Sequence, residues 1–181
     1  MKSPKILPLL LAILFIYGCG LIDEIRGLQE IDFDIELYAS RQVDISEDDP
    51  LEVAEYFTVD AKSNTDVADY INDIVEYDIW NIYIMVPYYE GENDILFDGT
   101  ITIDGFSQSF TGTNAFNPSA LYNSQGILYL NLNENALTTI NTALINDHSV
   151  ECSIVGTVSD KPVAFTLDFY IEGTVYAEIK K

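Results

Sequence analysis

The sequence predicts a mainly β domain folded as a two-layer antiparallel β-sandwich, immunoglobulin-like or jelly-roll-like in outline, with a lipocalin-like closed barrel as the alternative. Three observations carry this prediction. Apolar residues recur at every second position over long stretches, which sets one face of a strand on a core and the other in water and favours antiparallel over doubly buried parallel sheets. Turn-forming residues punctuate those stretches, as they do between short strands. Only two short segments change to helical spacing, too few for alternating βαβ units.

The elements follow in order. Ile31, Phe33, Ile35 and Leu37 alternate with Asp32, Asp34, Glu36 and Tyr38 and predict the first strand. Others are predicted at 56–60, 79–89, 95–104, 106–113, 126–131 and 149–159. Asp104-Gly105 between Ile103 and Phe106 is a hairpin signal, because a type I′ turn needs positive φ at both central residues. Ser159-Asp160-Lys161-Pro162 reads as a second turn,. Val163, Phe165, Leu167, Phe169 and Ile171 then open a strand whose odd positions continue through Gly173 to Ile179, the glycine marking a bulge or bend. Helical spacing appears at Thr65–Tyr77, behind an Asn64 or Thr65 cap, and at Asn135–Ile145,. The Asn-, Ser- and Tyr-rich segment 114–125 reads as a long loop.

The first twenty residues carry a different pattern. Lys2 and Lys5 are the only charges before Asp23, and Ile6–Tyr17 is apolar apart from Pro8. A run this short falls below the ~20 residues of a spanning helix and has the build of a secretory signal. It ends in Ile16-Tyr17-Gly18-Cys19. These four residues resemble the lipobox read by bacterial lipoprotein signal peptidase, with Tyr17 bulkier than the usual second residue. The resemblance implies cleavage between Gly18 and Cys19. It also implies diacylglyceryl on the Cys19 sulfur and an amide-linked acyl chain such as palmitate, enough buried methylene for a lasting anchor. With Gly20 rather than Asp after the cysteine, it implies the cell envelope, and the outer membrane of a Gram-negative bacterium, as the location. The expected organisation is a signal peptide 1–18, a lipid-anchored tether 19–30 and one domain 31–181. As a flexible coil the 11 residues from Gly20 to Glu30 span about 18 Å. The rest of the chain resembles uncharacterised β-sandwich lipoproteins of Bacteroidota-type bacteria in its helix, its Gly156-Thr157-Val158-Ser159 strand end and its long last strand. That resemblance brings no function with it.

Without residues 1–18 the chain keeps 30 acidic and six basic residues, a net charge of −24. Nucleic acid is thereby excluded as a partner, since affinity for phosphate backbones comes mainly from Lys and Arg. With Cys19 assigned to lipid, Cys152 has no partner within the chain. In Val150-Glu151-Cys152-Ser153-Ile154 it shares a strand face with two aliphatic residues, as a buried free thiol does.

Catalytic sets are sparse. His148 is the one histidine, so two-histidine metal motifs are excluded, and it reads as an exposed turn residue. Extended geometry would separate its backbone from that of Cys152 by about 13 Å, beyond proton-transfer reach. Asp98 and Asp104, or Glu90, Glu92 and Asp94, offer carboxylate pairs that read as solvated charges. Calcium suits acidic loops better, with Asp44, Asp48 and Asp49 in one run and Glu90, Glu92 and Asp94 in another as candidates, though neither run has EF-hand spacing. Of the 12 tyrosines, Tyr83, Tyr88, Tyr89, Tyr122 and Tyr129 lie near predicted strand ends or the long loop and are candidate ligand-stacking residues. No cofactor is implied. The expected function is a non-enzymatic binding or structural module held on a membrane by its N-terminal lipid, with another envelope protein or a glycan as partner. A carrier of a small apolar ligand is the second expectation and a carboxylate-dependent hydrolase the third.

Overall fold

The computed structural model describes residues 27–180. The signal segment, Gly18, Cys19 and the start of the tether lie outside the described residues. Eight strands form: β1 (Leu28–Ile45), β2 (Glu52–Asp60), β3 (Ile74–Gly91), β4 (Phe97–Ile103), β5 (Phe106–Phe110), β6 (Leu128–Tyr129), β7 (Ser149–Val158) and β8 (Val163–Lys180). Three α-helices join them: α1 (Thr65–Tyr70), α2 (Pro118–Ser124) and α3 (Glu134–Asp147).

The strands divide into two four-stranded antiparallel sheets, sheet A in the order β1-β8-β3-β6 and sheet B in the order β2-β7-β4-β5. Strands 1 and 8, 2 and 7, 3 and 6, and 4 and 5 are paired, as in a ribbon folded back on itself and rolled into two layers. That is a jelly-roll order, and the sheets do not join into the closed barrel held as the alternative. The Ser159–Pro162 turn carries the chain from sheet B to sheet A, through a cis Lys161–Pro162 bond. At the tip of the ribbon, Asp104 and Gly105 take φ values of 42° and 80° between the paired Ile103 and Phe106, the turn expected from their sequence.

The alternation places the odd residues of β1 and β8 inward: Ile35, Leu37 and Val43 face the core with Phe165, Leu167, Phe169 and Ile171. Sheet B answers with Val53, Phe57, Val59, Ile101, Ile103, Val150 and Ile154. Phe57 meets Phe169 across the layers with ring centroids 4.8 Å apart. Arg41 is the exception on β1, its guanidinium lying 5.3 Å from the Phe57 ring centre, where a cation over an aromatic face is attracted. In sheet B, Gly99 pairs with Gly156 and the buried Phe97 ring fills the space that two side chains would take. A Cβ on Gly156 would stand 2.4 Å from the Asp98 carbonyl oxygen and 2.9 Å from Phe97 Cε2.

Several sequence expectations are corrected. β1 starts at Leu28, inside the segment expected as tether, because it pairs along the full length of β8 as far as Lys180. Helix α1 stops at Tyr70 rather than Tyr77. Ile74 and Tyr77 are instead claimed by β8, pairing with Ala177 and Val175, and the burial of Tyr77 outweighs a helical spacing that the same residues could satisfy. The segment 114–125 is no plain loop, since α2 lies inside it. Asn117 caps this helix by accepting the Ala120 N–H at 2.8 Å, and Pro118 opens it, where its missing N–H costs nothing. Among the described residues three α-helices therefore replace the two expected. The strand expected at 126–131 shrinks to two residues, because the Asn131 N–H is taken by the Gln108 side chain at 2.8 Å. The bulge expected at Gly173 falls on the facing strand, where β3 shifts register between Ile79 and Asn81 opposite Gly173 and Glu172.

Candidate functional site: a tyrosine row on an acidic sheet face

The same alternation that buries the odd residues of β1 and β8 turns their even residues to the outer face of sheet A. There the registers of three strand pairs coincide. Tyr38 of β1 lies opposite Tyr170 of β8, Tyr170 opposite Tyr83 of β3, and Tyr83 opposite Tyr129 of β6. Four tyrosines thus form one row across every strand of the sheet, about 14 Å long at a strand spacing of ~4.8 Å. Tyr83 and Tyr170 stack, with centroids 4.9 Å apart and planes 13° apart. Tyr38 and Tyr129 flank them at 5.2 and 5.8 Å with their planes tilted. The inner pair is largely covered, while Tyr38 is 46 % and Tyr129 53 % exposed.

The neighbouring rows are acidic. On one side come Glu36–Glu172–Asn81, Asp34–Thr174–Asp78 and Asp32–Tyr176–Glu76; on the other, Ser40–Asp168–Met85, Gln42–Thr166–Tyr88 and Asp44–Ala164–Glu90. Together with the tyrosines these rows hold nine carboxylates and neither lysine nor arginine.

The carboxylates engage the row directly. Tyr38 donates its hydroxyl proton to Asp168 Oδ1 at 3.1 Å, and the Tyr83 hydroxyl lies 3.3 and 3.4 Å from carboxylate oxygens of Glu172 and Glu36. Burial first, then the charges of Glu172 and Glu36, hold the Tyr83 phenol well above its ordinary range. Tyr170 is raised for the same reasons, burial foremost and then the charge of Asp168. Tyr38 and Tyr83 thus spend their hydroxyl protons on carboxylates. What the face offers a ligand is ring surface and, in the nine carboxylates beside the row, mostly oxygen acceptors,.

The residues predicted from sequence distribute unevenly. Tyr83 and Tyr129 are in the row. Tyr88 lies further along the same face, donating to Glu90 Oε2 at 2.5 Å. Tyr89 turns to the other side, its hydroxyl on the Glu92 carbonyl, and its ring sits 6.5 Å from that of Tyr122 on α2. Tyr38 and Tyr170 were missed; both stand at outward positions of predicted strands, and pairing the two strands by register would have found them.

The two acidic runs considered for calcium meet only at Asp44 and Glu90, which flank Ala164. Asp49 accepts the N–H and hydroxyl of Ser46 at 2.9 and 2.6 Å, closing its own turn, and Asp48, Glu92 and Asp94 are exposed. Among the described residues no three His, Cys, Asp or Glu side chains gather as a metal ion requires. Asp98 accepts the Gly112 N–H at 3.0 Å. Asp104 has its Oδ2 buried without a hydrogen-bond partner, and its carboxyl is raised by burial and by the charges of Glu151 and Asp147. The hollow it borders, shared with Phe106, Asn133 and Thr139, has no second carboxylate in its lining. His148 is not fully exposed as expected: it ends α3 at φ 57°, half-buried. Cys152 is the buried thiol expected, pushed up to about 12 by burial, so it holds almost no nucleophilic thiolate at neutral pH.

A groove of about 800 Å³ runs between β5 and the segment 114–131, lined by Phe106, Phe116 and Leu128 but equally by Ser107, Asn117 and Asn131. It is open along its length, unlike the enclosed apolar cavity a carrier needs.

No protein family, curated protein or solved structure matches the chain.

Proposed function

We propose that this protein is a lipid-anchored binding module of the cell envelope, non-enzymatic, whose recognition surface is the outer face of sheet A. The observation that carries the reading is the tyrosine row. Four tyrosines are brought into one line from four strands, and the two end rings, about half exposed, give this face exposed aromatic surface of the kind that marks interaction sites. The interior supports binding at the surface rather than carriage within: Leu37, Phe57, Phe97, Phe165 and Phe169 belong to one packed cluster. The anchor rests on Ile16-Tyr17-Gly18-Cys19.

Two measurements test the reading. A Cys19→Ala variant is expected in the soluble envelope fraction; retention on the membrane as firm as that of the wild type refutes the anchor. A photo-crosslinking amino acid at position 129, compared with one at the exposed Tyr56 on sheet B, is expected to trap a discrete adduct in whole cells. Equal labelling from both positions, or none from 129, refutes the recognition face.

A further inference from the structure

We infer that the occupant of this face is a lysine- and arginine-rich surface of a partner polypeptide. The inference rests on the binding-module reading above and decides the chemistry of the ligand. A flat aromatic platform would suit a sugar ring, but the two central rings stack on each other at 4.9 Å and 13°, so they cover the very faces a sugar would need. The end rings are tilted by 47° and 57° from their neighbours, so the row is ridged rather than flat. The polar chemistry leads the same way. The Tyr38 proton is held by Asp168 and the Tyr83 proton by Glu172 and Glu36, so two of the four hydroxyls have no proton to give a ligand, and the nine carboxylates around the row make acceptors the prevailing polar groups of the face. A sugar hydroxyl both gives and takes hydrogen bonds, whereas guanidinium and ammonium groups only give them and carry the charge that nine carboxylates lack. Exposed tyrosine rings beside those carboxylates also attract a cation over their faces.

Bulk attraction to so acidic a chain must be separated from docking. The full lipidated chain in detergent micelles is titrated with a fluorescent peptide of alternating arginine and glycine, at two salt concentrations, because exposed charges are screened by salt. Tyr38→Ser with Tyr129→Ser leaves the net charge unchanged and is expected to weaken binding about tenfold through loss of the ring contacts. Glu36→Gln with Glu172→Gln keeps the acceptors for Tyr83 and is expected to weaken it by a similar factor. Glu52→Gln with Glu151→Gln removes the same charge from the outer face of sheet B and is expected to change binding by less than about twofold. Ser40→Lys, on the exposed face beside Tyr38, disturbs no packing and is expected to weaken binding too. It keeps the test valid if the tyrosine pair alters the fold by near-ultraviolet circular dichroism.

Equal losses from the two charge pairs, or full affinity in both the tyrosine pair and Ser40→Lys, would overturn the inference. So would a neutral β-linked oligosaccharide that binds the wild type, loses binding with Tyr129→Ser and excludes the peptide. That last result would leave the recognition face standing and replace its occupant, whereas crosslinking that fails at position 129 would remove the face itself.

Discussion

Replacing Gly156 with alanine tests how the two glycines and Phe97 hold sheet B together. The new Cβ would meet the Asp98 carbonyl oxygen at 2.4 Å, the Gly99 Cα at 2.6 Å and Phe97 Cε2 at 2.9 Å. Two of these three atoms are backbone, so rotating a side chain cannot relieve them. β4 and β7 must part by most of an ångström where they are otherwise paired from Phe97 to Ile103. Overpacking of this kind costs about 1–3 kcal/mol. The smaller conformational freedom of alanine in the unfolded chain returns about 0.4–1 kcal/mol. The net expectation is a loss of about 1–2 kcal/mol, a fall in Tm of roughly 2–8 °C for a domain of this size. Urea titration followed by tryptophan emission and circular dichroism measures it, with an unchanged m-value showing that the loss lies in the folded state. Adding Phe97→Leu should relieve only the ring contact, so the double variant should remain less stable than Phe97→Leu alone. Gly156→Ala as stable as the wild type would refute the close approach of β4 and β7.

Two further outcomes follow from buried groups and caps. The Cys152 thiol and the Tyr77 phenol are both pushed up to about 12 by burial, from ordinary values near 9 and 10. The unfolded chain therefore loses these protons first, so stability is complete below about pH 9 and falls as pH rises toward 12. Urea midpoints at pH 7, 9, 10 and 11 should decline only over the last steps, and Cys152→Ala should flatten the decline that begins near pH 9; a midpoint independent of pH up to 11 counts against the burial of both groups. Asn133 caps α3 by accepting the Ala136 N–H at 2.9 Å, and Asn133→Ala should cost about 1 kcal/mol, read as a lower urea midpoint. No change there would mean that α3 is held by Ile140 and Leu144 alone.

Alternation in the sequence decided which side of each long strand would be buried, since a period of two leaves only one way to set Ile35, Leu37, Phe165 and Phe169 on a common core. It also determined the Asp104-Gly105 hairpin and the buried thiol, because the residues that settle those features are neighbours in the chain. The close of α1 was not legible, because Ile74 and Tyr77 satisfy helical spacing and strand alternation alike and only pairing with β8 breaks the tie. The same holds for the choice between jelly roll and immunoglobulin order, which depends on partners more than a hundred residues apart, as in β1 with β8. The tyrosine row belongs to this second kind. Each of its members was visible as an outward or strand-end residue, but Tyr38, Tyr83, Tyr129 and Tyr170 become neighbours only when three registers coincide. A register slip of one residue in any pair would have turned a tyrosine to the opposite face. What the sequence determined was a set of faces; the tertiary structure decided which residues share one.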